Sequence, residues 1–166
     1  MSDDNLYAPP ESDVEVSTGA ENELAGRGAR LGGAIIDTLL ILVVVWPIMF
    51  LTDYVARAAT DTLEPMDYVI ATLPGFVMFF VFHGYLLATR GQTVGKMLVK
   101  TRIVSVEDGK ILPFGRLIGL RYIPIWVASL IPVIGSLLAM IDALFIFRAD
   151  RRCVHDLIAG TKVIRA

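Results

Sequence analysis

Residues 31–51 run for 21 positions with a single charged side chain, Asp37. A helix rises 1.5 Å per residue, so about 20 mostly apolar residues cross the ~30 Å hydrocarbon core of a bilayer. This run has that length, and it holds Trp46 near its far end, where interfacial aromatics are common. Residues 68–88 form a second run of the same kind. Pro74-Gly75 interrupts it, and neighbouring helices can re-satisfy the carbonyl that a proline frees. A third apolar stretch, 122–147, is broken at 132–135 by Pro132 and Gly135. The chain is 55% hydrophobic with a mean hydropathy of +0.63, above the apolar share of soluble domains. At 166 residues it suits one domain. Lipid is therefore its expected solvent.

Charge then orders the segments. Residues 1–25 carry Asp3, Asp4, Glu11, Asp13, Glu15, Glu21 and Glu23 and no Lys or Arg. With Pro9, Pro10 and few large apolar groups they bury too little to offset ordering, and a disordered acidic cytoplasmic tail is expected. The start lacks the basic, then apolar pattern of a cleavable signal peptide. Arg27 and Arg30 precede the first run; the 52–67 connector is acidic; the 90–121 connector is basic. Short basic loops stay in the cytoplasm, so two crossings with the N-terminus inside are expected. The tail after residue 147 is also basic, which objects to a third single crossing. The break at 132–135 resolves the conflict if helices at about 114–131 and 135–148 enter and return as a hairpin; one long third helix is the alternative. β-branched residues around Glu107-Asp108-Gly109 predict a β segment over 98–112, and 161–165 a further possible strand. The fold class is thus an all-α membrane protein with a small cytoplasmic β-hairpin or sheet, its membrane domain covering 26–166.

Ionisable residues in the apolar runs are the candidate site. A lone carboxylate such as Asp37 costs ~2.5–3.5 kcal/mol at a membrane-helix centre, so it is expected to protonate or find a partner. Arg30, seven residues earlier, lies on the same helix face but ~10 Å away. Asp142, between Ile141 and Ala143, poses the same problem; paired with Asp37 it would raise one pKa and suit proton exchange. Arg30, Asp37 and Asp142 are therefore the ion or proton candidates, and a structural polar contact is the competing reading. His83 and Asp156 are secondary candidates. Gly28 and Gly32 form a small-xxx-small pattern that permits close helix approach. Arg90, Lys96, Lys100, Arg102, Arg116 and Arg121 are candidates for anionic lipid headgroups. Gly91-Gln-Thr-Val-Gly95-Lys96 is not a phosphate loop: three residues separate its glycines, not four, and Met97 follows the lysine. The lone Cys153 gives no sign of an oxidising compartment, and one His155-Asp156 pair is too little for a metal site. No catalytic residue, metal or cofactor is implied, and nothing points to nucleic acid.

In combination, Arg30-Leu-Gly-Gly-Ala-Ile-Ile-Asp37, Arg90-Gly-Gln-Thr-Val-Gly-Lys96, Val106-Glu-Asp-Gly109, Asp142 and Arg152-Cys-Val-His-Asp156 carry a family pattern. The chain resembles the RDD family of small bacterial membrane proteins, named for one arginine and two aspartates. The resemblance implies that Arg30 and Asp37 are the arginine and first aspartate; Asp142 and Asp156 both stand in contexts fit for the second. It implies an inner-membrane location, usually three membrane helices, and transport, including cation/proton exchange, for some members. A transporter or transporter subunit, which at this size would need a homo-oligomer or a membrane partner to enclose a pathway, is the first expectation. A non-catalytic membrane adaptor or assembly factor is the second.

Overall fold

The computed structural model describes residues 23–129 and 134–166. Two long helices dominate it: α1, Arg27–Leu51, and α3, Pro65–Arg90. They pack against each other, and both are long and apolar enough to cross a membrane. Their apolar side chains face outward, among them Leu39, Val43 and Phe50 on α1 and Leu73 and Val81 on α3. Only 6% of either apolar window is buried, the inverse of a soluble core helix.

Between them lies a short helix the sequence did not announce, α2, Tyr54–Ala59. Its Arg57 reaches the buried Asp67 at 2.6 Å. Asp67 also accepts the Glu64 amide at 2.8 Å, closing a capping box where Pro65 opens α3. The acidic connector is thus tied down at its last residue.

At the other end of α3, Gly91 (φ 62°) terminates the helix in the left-handed region. A Cβ there would stand 2.6 Å from the Ile103 carbonyl oxygen, so this backbone approach requires glycine. Thr93 then caps α4, Val94–Leu98, accepting the Lys96 amide at 3.3 Å. These two caps account for the glycine-rich motif.

The β segment expected over 98–112 shortens to one strand, and of the hairpin or sheet expected it is a sheet that forms. β1, Thr101–Ser105, pairs antiparallel with β2, Thr161–Arg165, so that Thr101 faces Arg165 and Ser105 faces Thr161. The Gly109 turn does form, and Ser105 N donates to Lys110 O at 2.8 Å. Past that rung Leu112 is buried and Pro113 lacks an amide, so the chain leaves for a helix while β2 takes the vacant edge. The tail boundary also moves. Leu24 bridges Ile164, Ala25 N donates to Val163 O at 3.0 Å, and Ala25 is fully buried. Residues 23–25 therefore extend the sheet; the rest of the expected tail, 1–22, lies outside the described residues.

The third apolar stretch starts as α5, Phe114–Leu117, widens into a π-helix at Ile118–Tyr122, and continues as α6, Ile123–Ser129. α7, Ile134–Leu144, ends in a 3₁₀ turn at Phe145–Phe147 and packs against α6. The turn expected at 132–135 falls mostly on 130–133, outside the described residues. α8, Val154–Ala159, leads through left-handed Gly160 into β2. The buried core joins Phe79 and Leu87 of α3, Ile103 and Val163 of the sheet, and Leu117 and Ile118. It lies at the sheet end of the molecule, and the polar cluster is built beside it.

Candidate functional site

Asp37 does not use Arg30. Its Oδ2 accepts the Thr93 hydroxyl at 2.5 Å and its Oδ1 accepts the Gly95 amide at 2.6 Å. Gly95 is the second residue of α4, so the carboxylate meets the positive end of that short helix and pins it to α1. The two elements cross at bare backbone: a Cβ on Gly95 would collide with the Gly33 carbonyl oxygen and stand 2.8 Å from Asp37 Oδ1. The close approach therefore uses Gly33. Gly28 has nothing within 4 Å, and Gly32 only a Val99 methyl at 3.9 Å, so the small-xxx-small pair is not the contact.

His83 is fully buried on α3. Its Nδ1 accepts the Val94 amide at 3.2 Å, so that nitrogen is unprotonated and a neutral ring carries its proton on Nε2. Nε2 has no hydrogen-bond partner among the described residues and stands 3.8 Å from Asp37 Oδ1. Phe79 meets the imidazole edge-on at 5.1 Å.

Arg30 goes elsewhere. Its Nη2 meets Asp156 Oδ2 at 2.5 Å, and its Nη1 donates to the Arg151 carbonyl. Arg121 donates to the other oxygen of Asp156 and, at 2.6 Å, to Thr161 Oγ1. Asp156 accepts further from Thr161 Oγ1 at 3.0 Å and from the Cys153 amide at 3.1 Å. It is wholly buried, between two arginines that are nearly so. Burial opposes the charge on Asp156, yet Arg121, His155 and Arg30 outweigh it and hold the carboxyl well below the usual range. Arg121 is therefore not a headgroup residue. It lies in the π-helical turn and is buried there with Ile118.

Asp142 takes a third partner. Its Oδ1 accepts the His155 amide at 2.9 Å, and its Oδ2 shares a 2.6 Å hydrogen bond with His155 Nδ1. Burial, then Arg121, push the His155 imidazole down. Burial likewise pushes the Cys153 thiol up to about 11.

A cavity of about 420 Å³ joins these groups. Asp37, His83, Lys96, Arg121, Asp142 and His155 supply its polar wall; Phe79, Ile125 and Trp126 are among its apolar lining. The two expected intramembrane aspartates thus share one space while each is anchored separately. Lys96 lines it as well, instead of reaching outward. Burial, then repulsion from Arg121, bring its ammonium down to about 8. Arg90, Lys100, Arg102 and Arg116 remain exposed. Sequence reasoning named Asp37, Asp142 and Arg30 but missed Thr93, Gly95 and His155 as their neighbours. It also assigned no metal ligand, whereas ligand atoms of Asp142, Cys153 and His155 lie within 4.8 Å of one another.

These features describe a small, mostly helical membrane-type protein with a polar cavity at the sheet end of its two long apolar helices. The chain belongs to the RDD family, whose profile matches residues 24–160. It is similar to an uncharacterized protein of Haemophilus influenzae, 31% identical over 97 residues, which covers 57% of this chain and 58% of that protein. The chain thus matches little more than half the length of that relative. No solved structure matches it.

Proposed function

We propose that this is a multi-pass protein of a bacterial cytoplasmic membrane that couples a proton to the movement of a small cation, alone in a homo-oligomer or as a transporter subunit. One observation carries the reading: the buried, unbonded His83 Nε2 faces Asp37 at 3.8 Å across the wall of a charged cavity. A small displacement lets this N–H donate to Asp37, and a cation arriving at the carboxylate opposes that proton. Asp142 supplies a second carboxylate on the same cavity, and Lys96, with a value of about 8, sits near its own charge change. No step of covalent chemistry is part of this reading.

Two long helices enclose no pathway alone. The outward apolar faces of α1, α3 and α7, with Leu137, Met140 and Leu144 on the last, leave room for lipid and for a second copy or partner. Charge favours both termini inside, and α6 packed on α7 suits a hairpin that returns to the side it left. A cysteine placed at exposed Thr60 is then labelled in intact cells by an impermeant maleimide, and one at exposed Ala149 only after permeabilisation. Cys153, buried and with its thiol at about 11, stays silent in both. Labelling of Ala149→Cys from outside would sink the hairpin.

A second reading, the non-catalytic adaptor or assembly factor, draws on the fact that both Asp37 oxygens already tie α4 to α1. Vesicles separate the two. The purified protein, reconstituted with a pH dye inside, is expected to change internal pH when Na⁺ or K⁺ is added outside. Asp37→Asn keeps an acceptor for the Gly95 amide, and His83→Gln keeps one for Val94. Each is expected to slow the pH change about tenfold or more, as for a barrier raised by roughly 1.4 kcal/mol. No pH change with the unmodified chain, or an undiminished rate in folded His83→Gln, favours the adaptor.

A further inference from the structure

We propose that Asp142, Cys153 and His155 form a binding site for a divalent transition-metal ion, with Zn²⁺ the best match. The inference does not depend on proton coupling at Asp37 and His83. Three chemically different ligands converge here from two places in the chain: a carboxylate on α7, and the thiol and imidazole of Cys153 and His155 at the start of α8. Their ligand atoms all lie within 4.8 Å of one another. Three protein ligands of mixed O, N and S type, with a fourth position left open, are a recurring zinc arrangement. One thiolate and one imidazole select zinc over the hard cations, which take oxygen ligands.

The ion would take the place of the proton that Asp142 Oδ2 and His155 Nδ1 now share at 2.6 Å. Zn–N and Zn–O lengths of ~2.0–2.1 Å at tetrahedral angles need these atoms about 3.3 Å apart, a shift within reach of side-chain rotation. With Nδ1 on the metal, His155 Nε2 carries its proton toward Asp156 Oδ2, 3.8 Å away. A carboxylate behind a metal-bound imidazole fixes the ring and raises its basicity. Cys153 Sγ lies 3.5 Å from the Arg30 guanidinium, and its thiol proton would leave as the ion binds. A thiolate and a carboxylate together offset a double positive charge, so the loaded site is neutral where it is buried. Asp142 and His155 both line the cavity, which gives the ion a route in and leaves the open coordination position facing it.

Cobalt(II) is the probe. The full chain, purified in detergent, is titrated with Co²⁺ and watched for the near-ultraviolet thiolate-to-cobalt charge-transfer band and for strong tetrahedral visible bands. Both are expected at stoichiometric metal and are expected to bleach when Zn²⁺ is added. Cys153→Ser keeps a capping oxygen for α8; it is expected to lose the charge-transfer band and to bind Co²⁺ about 100-fold more weakly or worse. His83→Gln is expected to titrate like the unmodified chain, which separates this site from the proton pair. X-ray absorption on the zinc-loaded protein adds a test that needs no variant: one sulfur neighbour at ~2.3 Å is expected. A folded protein that gives no thiolate band at saturating Co²⁺, a zinc spectrum without sulfur, or unchanged affinity in Cys153→Ser overturns the proposal.

Discussion

Asp156→Asn is expected to destabilise the folded protein by about 3–5 kcal/mol, the usual result of removing one partner from a buried ion pair. The size follows from what is left behind. Asp156 is the carboxylate between Arg30 and Arg121, and both guanidiniums are buried with it. Asparagine keeps the size and one acceptor, but it leaves two cations facing each other out of water. The charge is the deciding term, because the remaining amide oxygen can still accept from Thr161 or the Cys153 amide, whereas nothing replaces the anion between the two guanidiniums. Arg30→Met placed on top of Asp156→Asn removes one of the stranded cations. The double variant is expected to lie well above the sum of the two single losses, since contacting residues do not add. Denaturant unfolding in detergent micelles measures all three. A drop under 1 kcal/mol for Asp156→Asn, or simple additivity, would show that the cluster is not an ion triad.

The same cluster sets the acid side of stability. The folded carboxyl of Asp156 lies below its unfolded value of about 3.9, so its contribution is complete above that pH and is lost as pH falls through the folded value. In Asp156→Asn that acid-side loss is absent, and the stability of the variant should change less on acidification.

Much of this architecture is written in the sequence, and the part that is not has a physical reason. The long apolar runs are periodic, local signals, and they become α1 and α3 with ends shifted by a few residues. Strand 161–165 is local too and forms as expected. Its partner is not local: β1 pairs with a strand sixty positions away, and no pattern within 98–112 encodes that choice. The charges behave likewise. Helical phase places Arg30 and Asp37 on one face, and it says nothing about what that face meets. Arg30 finds a carboxylate in α8, and Asp37 finds a hydroxyl and an amide at the start of α4. Arg121 reads as a headgroup residue because it stands in a basic connector, and the sequence does not show that Asp156 of α8 will lie opposite it. For Asp37 a signal did exist. Gly91 as a left-handed cap and Thr93 as an N-cap both stand in the motif that failed as a phosphate loop, and together they predict a helix start near residue 93.

Gly95→Ala tests that helix start and is expected to be nearly as damaging as the loss of Asp156. The added methyl would meet the Gly33 carbonyl oxygen, which is backbone and cannot rotate away, and Asp37 Oδ1 at 2.8 Å. Relief requires α4 to move off α1. Overpacking of this kind costs about 1–3 kcal/mol, and the separation also breaks the charge-assisted bond from the Gly95 amide, worth roughly 1.5–3 kcal/mol. The combined loss is about 2.5–6 kcal/mol. Gly33→Ala should be milder, because the nearest atom to its Cβ is a Val99 methyl at 3.2 Å that can turn aside. Gly28→Ala, with open space around it inside α1, should be neutral or should stabilise by roughly 0.5–1 kcal/mol through its better helix propensity. This order, Gly95 far below Gly33 and Gly28 unharmed, is specific to one crossing. A packing stripe built on Gly28 and Gly32 would instead make Gly28→Ala the costly change. Thermal unfolding of the three variants in one detergent decides between the two, and in the vesicle assay Gly95→Ala should also abolish any pH change, because moving α4 takes the Gly95 amide from Asp37 and the Val94 amide from His83.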